Sequence, residues 1–241
     1  MTSSQALALS VFGNLKWHGM TTLLDGLRCE QGMPVFAGRD LSPSRFRMEY
    51  EVRYLGEPRP TSVDVFLDGP QPMPIECKLT EPEVGPCSRP RLDKDDSAYE
   101  EQYCDGNYAA QQGRAGRCPL TERGVQYWNV APKHFHLDPE RDYAPCPLRF
   151  GYQLVRNVLA AAEHPQAKHT NGPPFALLIY DARNPEFQPG GAAHQAFEDV
   201  SALLKNKEML RKCTWQALIE HLRTNKLMPW LSDGLEHKYG F

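Results

Sequence analysis

The stretch Thr61–Thr80, TSVDVFLDGPQPMPIECKLT, restricts the fold more than any other part of the chain. Two short strand-like runs flank a loop that carries Pro70, Pro72 and Pro74. The first run holds Asp64. The second holds Glu76 and Lys78 with one residue between them. Side chains alternate along a strand, so Glu76 and Lys78 are expected on one face and Ile75, Cys77 and Leu79 on the other. Paired as a hairpin, the runs bring Asp64 opposite the Glu76–Lys78 region, with the register left open by the three prolines.

Two carboxylates and an amine on one patch of sheet suit metal-assisted hydrolysis of a phosphodiester. Magnesium takes oxygen ligands and keeps several waters, so one or two carboxylates are enough to hold it. Such an ion polarises a phosphoryl oxygen and acidifies a bound water. A lysine beside them offsets the charge that builds on the phosphate. The plainer account of E-x-K on a strand is a solvated face with a weak surface pair. Asp64 reads less like a surface residue, because Val63, Val65 and Phe66 flank it.

Asp64, followed twelve residues later by Glu76-Cys77-Lys78, resembles the signature of the PD-(D/E)XK nuclease superfamily. Further pieces resemble one branch of it, bacterial restriction endonucleases with a cysteine-bearing insert. They are SSQAL at 3–7, LGEPRPTSVDVFL at 55–67, IECKLTE at 75–81, RCPLT at 117–121, YQLVRN at 152–157 and YDARNP at 180–185. The triad alone is a weak pattern; the ordered series, which spans most of the chain, is more specific. The family's leading proline is absent, since Val63 precedes Asp64.

The resemblance implies an α/β fold with a restriction-endonuclease-like core, a mixed central sheet flanked by helices. It implies a magnesium-dependent endonuclease acting on double-stranded DNA. Asp64, Glu76 and the backbone carbonyl of Cys77 would hold Mg2+ or Mn2+, and Lys78 would position water. Gln153, on the helix after the E-x-K strand, would orient Lys78, a water or a phosphate. Glu49 and Glu51 are candidates for an auxiliary acid, or else the charged face of an edge strand. A homodimer fits the same analogy, although no dimer surface is legible. The alternative is a catalytically inactive nucleic-acid- or protein-binding module on this fold. A third is a zinc-stapled structural protein in which E-x-K is accidental.

A chain of 241 residues supports one domain, 1–241, with an insertion at about 80–148. A net charge of −3 argues against a strongly basic nucleic-acid binder but leaves room for a local basic patch. The basic runs at 89–94 and 205–212 read first as solvated faces. The longest apolar run, Phe175–Tyr180, is too short to span a bilayer. The first residues lack a secretory pattern. No membrane partner and a cytoplasmic location are therefore expected.

The insertion is poor in periodicity, and a loop of that length needs something to hold it. It contains Cys87, Cys104, Cys118 and Cys146, at intervals of 17, 14 and 28 residues. In a reducing compartment these are thiols or metal ligands. Four thiolates suit a tetrahedral zinc ion. An iron–sulfur cluster, which some relatives of that nuclease class carry, is the other option. No C-x-x-C knuckle is present, and single buried thiols are the simpler account.

Periodicity predicts helices over 4–15 (Ser3 or Ser4 as N-cap), around Met20–Leu27, over 151–163 and from about 193, and one capped by Thr214. In the 151–163 helix, Gln153, Arg156 and Asn157 form a polar stripe whose plain reading is a solvated face. Strands are predicted at 46–54, with Met48, Tyr50, Val52 and Tyr54 sharing a face, and at 174–181. Trp215 is expected in the core, His134 and His136 at the surface, and Asp181 and Arg183 in a turn.

Overall fold

The computed structural model describes residues 3–60, 62–109, 117–167 and 173–241. Thr61 and the part of the insertion at 110–116 lie outside them. Five strands form one mixed sheet in sequence order: β1 (Phe46–Glu51), β2 (Ser62–Leu67), β3 (Met73–Lys78), β4 (Ala176–Tyr180) and β5 (Leu210–Thr214). β1, β2 and β3 are antiparallel neighbours; β3, β4 and β5 run parallel. Parallel neighbours need a crossover. The β3–β4 crossover carries the insertion and α6 (Leu148–Ala162), and the β4–β5 crossover carries α7 (Ala192–Leu203).

Helices cover both faces, as the fold expectation required. On one face lie α1 (Ser4–Ala8), a π-helical turn at Leu9–Gly13, α2 (Asn14–Trp17), α8 (Trp215–Asn225) and α9 (Pro229–Tyr239). They pack Leu7, Phe12, Trp215, Ile219 and Leu235 against Ile75, Cys77, Leu177 and Ile179 of the sheet. On the other lie α6, α7 and α5 (Tyr127–His134), with Leu154, Val158, Phe197 and Trp128 against Ala176, Leu178 and Tyr180. The alternation in β4 is what a strand buried on both faces requires. Two shorter helices, α3 (Tyr99–Gln102) and α4 (Pro119–Glu122), belong to the insertion.

Some elements match their sequence signals closely. Ser3 caps α1 by accepting from the N–H of Ala6 at 3.1 Å, and Thr214 caps α8 by accepting from Ala217 at 3.1 Å. Trp215 is fully buried and donates its indole N–H to the Lys78 carbonyl at 3.1 Å. Others differ. The helix expected around Met20–Leu27 is a single 3-10 turn, Thr21–Leu24. Gly19 and Gly26 bracket it with φ of +70° and +82°, so no room is left for a second α turn. The basic run at 205–212 leads into β5 and includes its first three residues, and two of its charges lie over aromatic rings: the Arg211 guanidinium is 3.8 Å from the Phe175 ring centre and the Lys212 ammonium 4.7 Å from that of Phe197. His134 ends α5 and pairs with Glu163 at 2.8 Å; His136 is exposed.

The shared face expected for Met48, Tyr50, Val52 and Tyr54 is broken at Glu49, whose φ of 51° is left-handed. Phe46 and Met48 join one core layer, whereas Tyr50, Val52 and Tyr54 join the other. β2 switches in step, with Val63 in one layer and Val65 and Leu67 in the opposite one. The β1–β2 register pairs Met48 with Val65 and Tyr50 with Val63, and passes over Glu49 and Asp64 between them. The candidate aspartate therefore sits where the strand turns over.

Within α6, Gly151 departs from helical geometry (φ −113°, ψ 26°), and a β-carbon there would lie 2.3 Å from Val200 Cγ2 of α7. This glycine sets how closely the two helices approach. Gly151→Ala is expected to destabilise the protein by about 1–3 kcal/mol through overpacking, and a second change, Val200→Ala, to restore part of the loss. Urea unfolding of the single and double variants measures both.

Candidate active site

β2 and β3 pair only as far as Val65 with Ile75. Beyond that point the Asp64 carboxylate does the work of a backbone acceptor: its Oδ2 takes the N–H of Cys77 at 2.7 Å. The carbonyl of a strand residue leaves on the same edge as its N–H, so the Cys77 carbonyl faces the same gap. Burial, and then the Glu76 charge, push the Asp64 carboxyl up to about 7, with the Cys77 hydrogen bond and Lys78 pulling the other way.

Glu76 and Lys78 project toward α6, and Cys77 projects into the opposite core layer with Ile75 and Leu79. Glu76 is buried and met by donors on both oxygens. Oε1 accepts from Lys78 Nζ at 2.9 Å and from Gln153 Nε2 at 2.6 Å. Oε2 accepts from Asn157 Nδ2 at 3.1 Å, with the Arg156 guanidinium 3.9 Å away. Lys78 also donates to Gln153 Oε1 at 3.0 Å, so the amide of Gln153 bridges base and acid. Burial works against the Lys78 charge, but Glu76 and Asp64 outweigh it and hold its pKa above the ordinary lysine value. Lys78 is a fixed ammonium.

The structure thus brings Asp64, Glu76, the Cys77 backbone, Lys78 and Gln153 together. Two further residues belong with them. Arg156 and Asn157 are each only 1% exposed, so the polar stripe of α6 is the buried face that receives Glu76 rather than a solvated one. Arg156 donates to Asn157 Oδ1 at 3.0 Å and to the Ser62 carbonyl at 3.4 Å, which ties the helix to the start of β2. The signal was an arginine and an asparagine adjacent to strongly apolar neighbours on a helix, a pattern that requires a partner charge if it faces inward. Of the two upstream acids, Glu49 is exposed and contributes to the raised Asp64 pKa, whereas Glu51 pairs with Arg53 at the surface.

Pieces far apart in sequence meet at the end of β3. Ser4 donates to the Glu81 carboxylate, and Asn184 donates to the carbonyls of Leu79 at 3.2 Å and Glu81 at 2.9 Å. Asp181 is held by Arg183 at 2.7 Å and by Gln216 at 2.7 Å. It is a buried turn brace, not part of the Glu76 network. Beside that network opens a cleft of about 620 Å³ whose wall includes Gln153, Arg156, Arg59, Arg89 and Arg123, against the acids Glu57 and Asp96. Its local balance is basic although the whole chain is acidic.

The four insertion cysteines line a separate, smaller cavity. Among the described residues, no group of three or more His, Cys, Asp or Glu side chains is placed so that it could hold a metal ion. No helix among the described residues is long and apolar enough to cross a membrane.

A family model described as restriction endonuclease associating with ARP matches residues 1–240. Neither a curated protein nor a solved structure matches the chain.

The raised Asp64 pKa has a sign that can be checked. A carboxyl near 7 in the folded state and near 4 when unfolded binds more protons folded, so stability falls as pH rises between those values. In metal-free protein, Asp64→Asn, which keeps an acceptor for Cys77, is expected to be more stable than the parent at pH 8 by an amount on the order of a few kcal/mol. The difference should close as pH falls toward 4. Urea unfolding across that pH range decides it.

Proposed function

The chain belongs to the family of restriction endonucleases associating with ARP, and on that premise we propose that it is a magnesium-dependent nuclease hydrolysing phosphodiester bonds of DNA. The observation that carries this reading is the Asp64–Glu76–Lys78–Gln153 constellation at the place where β2 leaves β3. The donors fit a hard divalent cation, because two carboxylates and the Cys77 carbonyl are all oxygen. The Asp64 carboxyl held up to about 7 also fits, since it reflects two buried acids with too little positive charge between them. Asp64, Glu76 and the Cys77 carbonyl would hold Mg2+ or Mn2+. Bound there, the ion would lower the pKa of a water and polarise a phosphoryl oxygen.

The protein's own groups supply the rest. Lys78, kept charged by its acidic neighbours, stands to orient the attacking water and to offset charge on the phosphate. Gln153 fixes the ammonium by accepting from it while donating to Glu76, so neither side chain has to reorganise during the reaction. Asn157 and Arg156 keep the Glu76 side chain aimed. The arginine-lined cleft next to Gln153 fits the phosphate backbone of double-stranded DNA, whose affinity derives largely from such contacts.

Asp64→Ala, Lys78→Ala and Glu76→Gln are each expected to lower magnesium-dependent cleavage of duplex DNA on the order of 100-fold or more. Circular dichroism checks that each variant is folded. Cleavage that survives in a folded Asp64→Ala protein removes this mechanism, whereas parent protein that binds duplex DNA and leaves it intact in magnesium favours the binding module. Arg59→Ala and Arg123→Ala should weaken DNA binding alike on all sequences and lower the salt slope of binding by about one each. Fluorescence anisotropy over a salt series measures this.

A further inference from the structure

Cys87, Cys104, Cys118 and Cys146 come from four separate parts of the insertion and line one cavity of about 30 Å³, the scale of a single ion or water. None forms a disulfide. The remaining cysteines, Cys29, Cys77 and Cys213, are buried in the core layer on the far face of the sheet.

The backbone treats the four alike. Gly106 donates its N–H to the Cys104 sulfur at 3.4 Å. The N–H groups of Arg89, of Leu120 and Thr121, and of Leu148 favour the charged form of the Cys87, Cys118 and Cys146 sulfurs in the same sense. In every case one such N–H belongs to the residue two after the cysteine. Such bonds favour a thiolate over a thiol and are the contacts that orient and tune sulfur bound to a metal. A cysteine serving as a small apolar filler has no need of one. Four unrelated turns with one shared geometry around one cavity therefore mark the sulfurs, not the packing, as the reason for the arrangement.

The surrounding charge agrees. Arg89, Arg117 and Arg149 line the same cavity. Arg117 already pairs with Asp142, and Arg89 and Arg149 suit the double negative charge of a divalent ion held by four thiolates. Tetrahedral sulfur sites take zinc or iron–sulfur clusters. A cavity on the scale of one ion favours zinc. The four thiols form no ready ligand set as they stand, so metal binding has to draw them together.

We propose that Cys87, Cys104, Cys118 and Cys146 bind one zinc ion as a four-thiolate centre that fastens the insertion to the first turn of α6. Binding forms four zinc–sulfur bonds and releases the four thiol protons. The fastening point is specific. Cys87 N–H donates to the Arg149 carbonyl at 2.8 Å, Cys146 N–H to Gly106 at 2.8 Å, and Gln153 N–H to Gly85 at 2.9 Å. A β-carbon on Gly85 would lie 2.2 Å from Gln153 Oε1, so this loop packs directly on the residue that bridges Glu76 and Lys78. The zinc would hold the wall of the candidate site without entering it.

The full-length protein, purified without added metal and dialysed, is assayed for zinc and iron by elemental analysis, independently of any cleavage. About one zinc per chain is expected. Cys87→Ser and Cys118→Ser should lose it and Cys213→Ser should keep it. Because a staple variant can fail to fold, wild-type protein stripped with a chelator and refilled with Co2+ is the second measurement. It should show the visible bands of a tetrahedral cobalt–thiolate centre and melt at a higher temperature than the stripped form. Zinc-free wild-type protein that gives no such bands overturns the site, whether its cysteines prove free or paired as disulfides. Iron with visible absorption in place of zinc overturns the zinc assignment.

Discussion

A carboxylate carried into the interior of a protein must be met by donors, and Glu76 is met by four side chains. Three of them, Gln153, Arg156 and Asn157, lie on one face of α6. An unpaired charge at that depth would be strongly unfavourable. The pairing therefore dictates how α6 sits on β3, which face of the helix turns inward and where the cleft beside it opens. The rest of that face is apolar, with Leu154, Val155 and Val158 packing normally, so one helix serves both as core and as the counter-charge layer of the candidate site.

Asp64 presents the opposite situation. It lies where β2 turns over and where the ladder to β3 has ended, so its carboxylate replaces a backbone acceptor and approaches Glu76 without a cation of its own. The left-handed Glu49 across the register gap accompanies the turnover. Non-glycine residues persist in such conformations where the surroundings over-determine them, commonly at functional sites. One acid is surrounded by donors and the other is not, which is how a pair of neighbouring carboxyls acquires different tasks.

The insertion is what encloses the site. Gly85 accepts the backbone N–H of Gln153, and Cys146 immediately precedes α6. The cleft wall is built partly from Arg89 and Leu120 of the insertion and partly from Arg59 and Arg156 of the core. A segment with little periodicity of its own thus gains definition from the helix it leans on, and gives that helix a fixed N-terminal end in return.

Much of the arrangement was legible in the residues. Alternation in IECKL determined the two faces of β3, the apolar stripe of 151–163 determined α6, and the uninterrupted PFALLIYD determined a doubly buried strand. Local periodicity records burial, so these features needed no partner to be read. β5 was hidden because Arg211 and Lys212 resemble surface residues until Phe175 and Phe197 are seen beneath them. The inward face of Arg156 and Asn157 was hidden for a related reason: a polar stripe fits water and a buried charge equally well, and the choice depends on a glutamate about eighty residues away. The turnover of β1 and β2 at Glu49 and Asp64 arises from one backbone dihedral and the pairing around it, neither of which is written in residue type. Only the tertiary structure decided which polar groups meet, because a charge selects its partner by distance, and distance between remote segments exists only once the chain has folded.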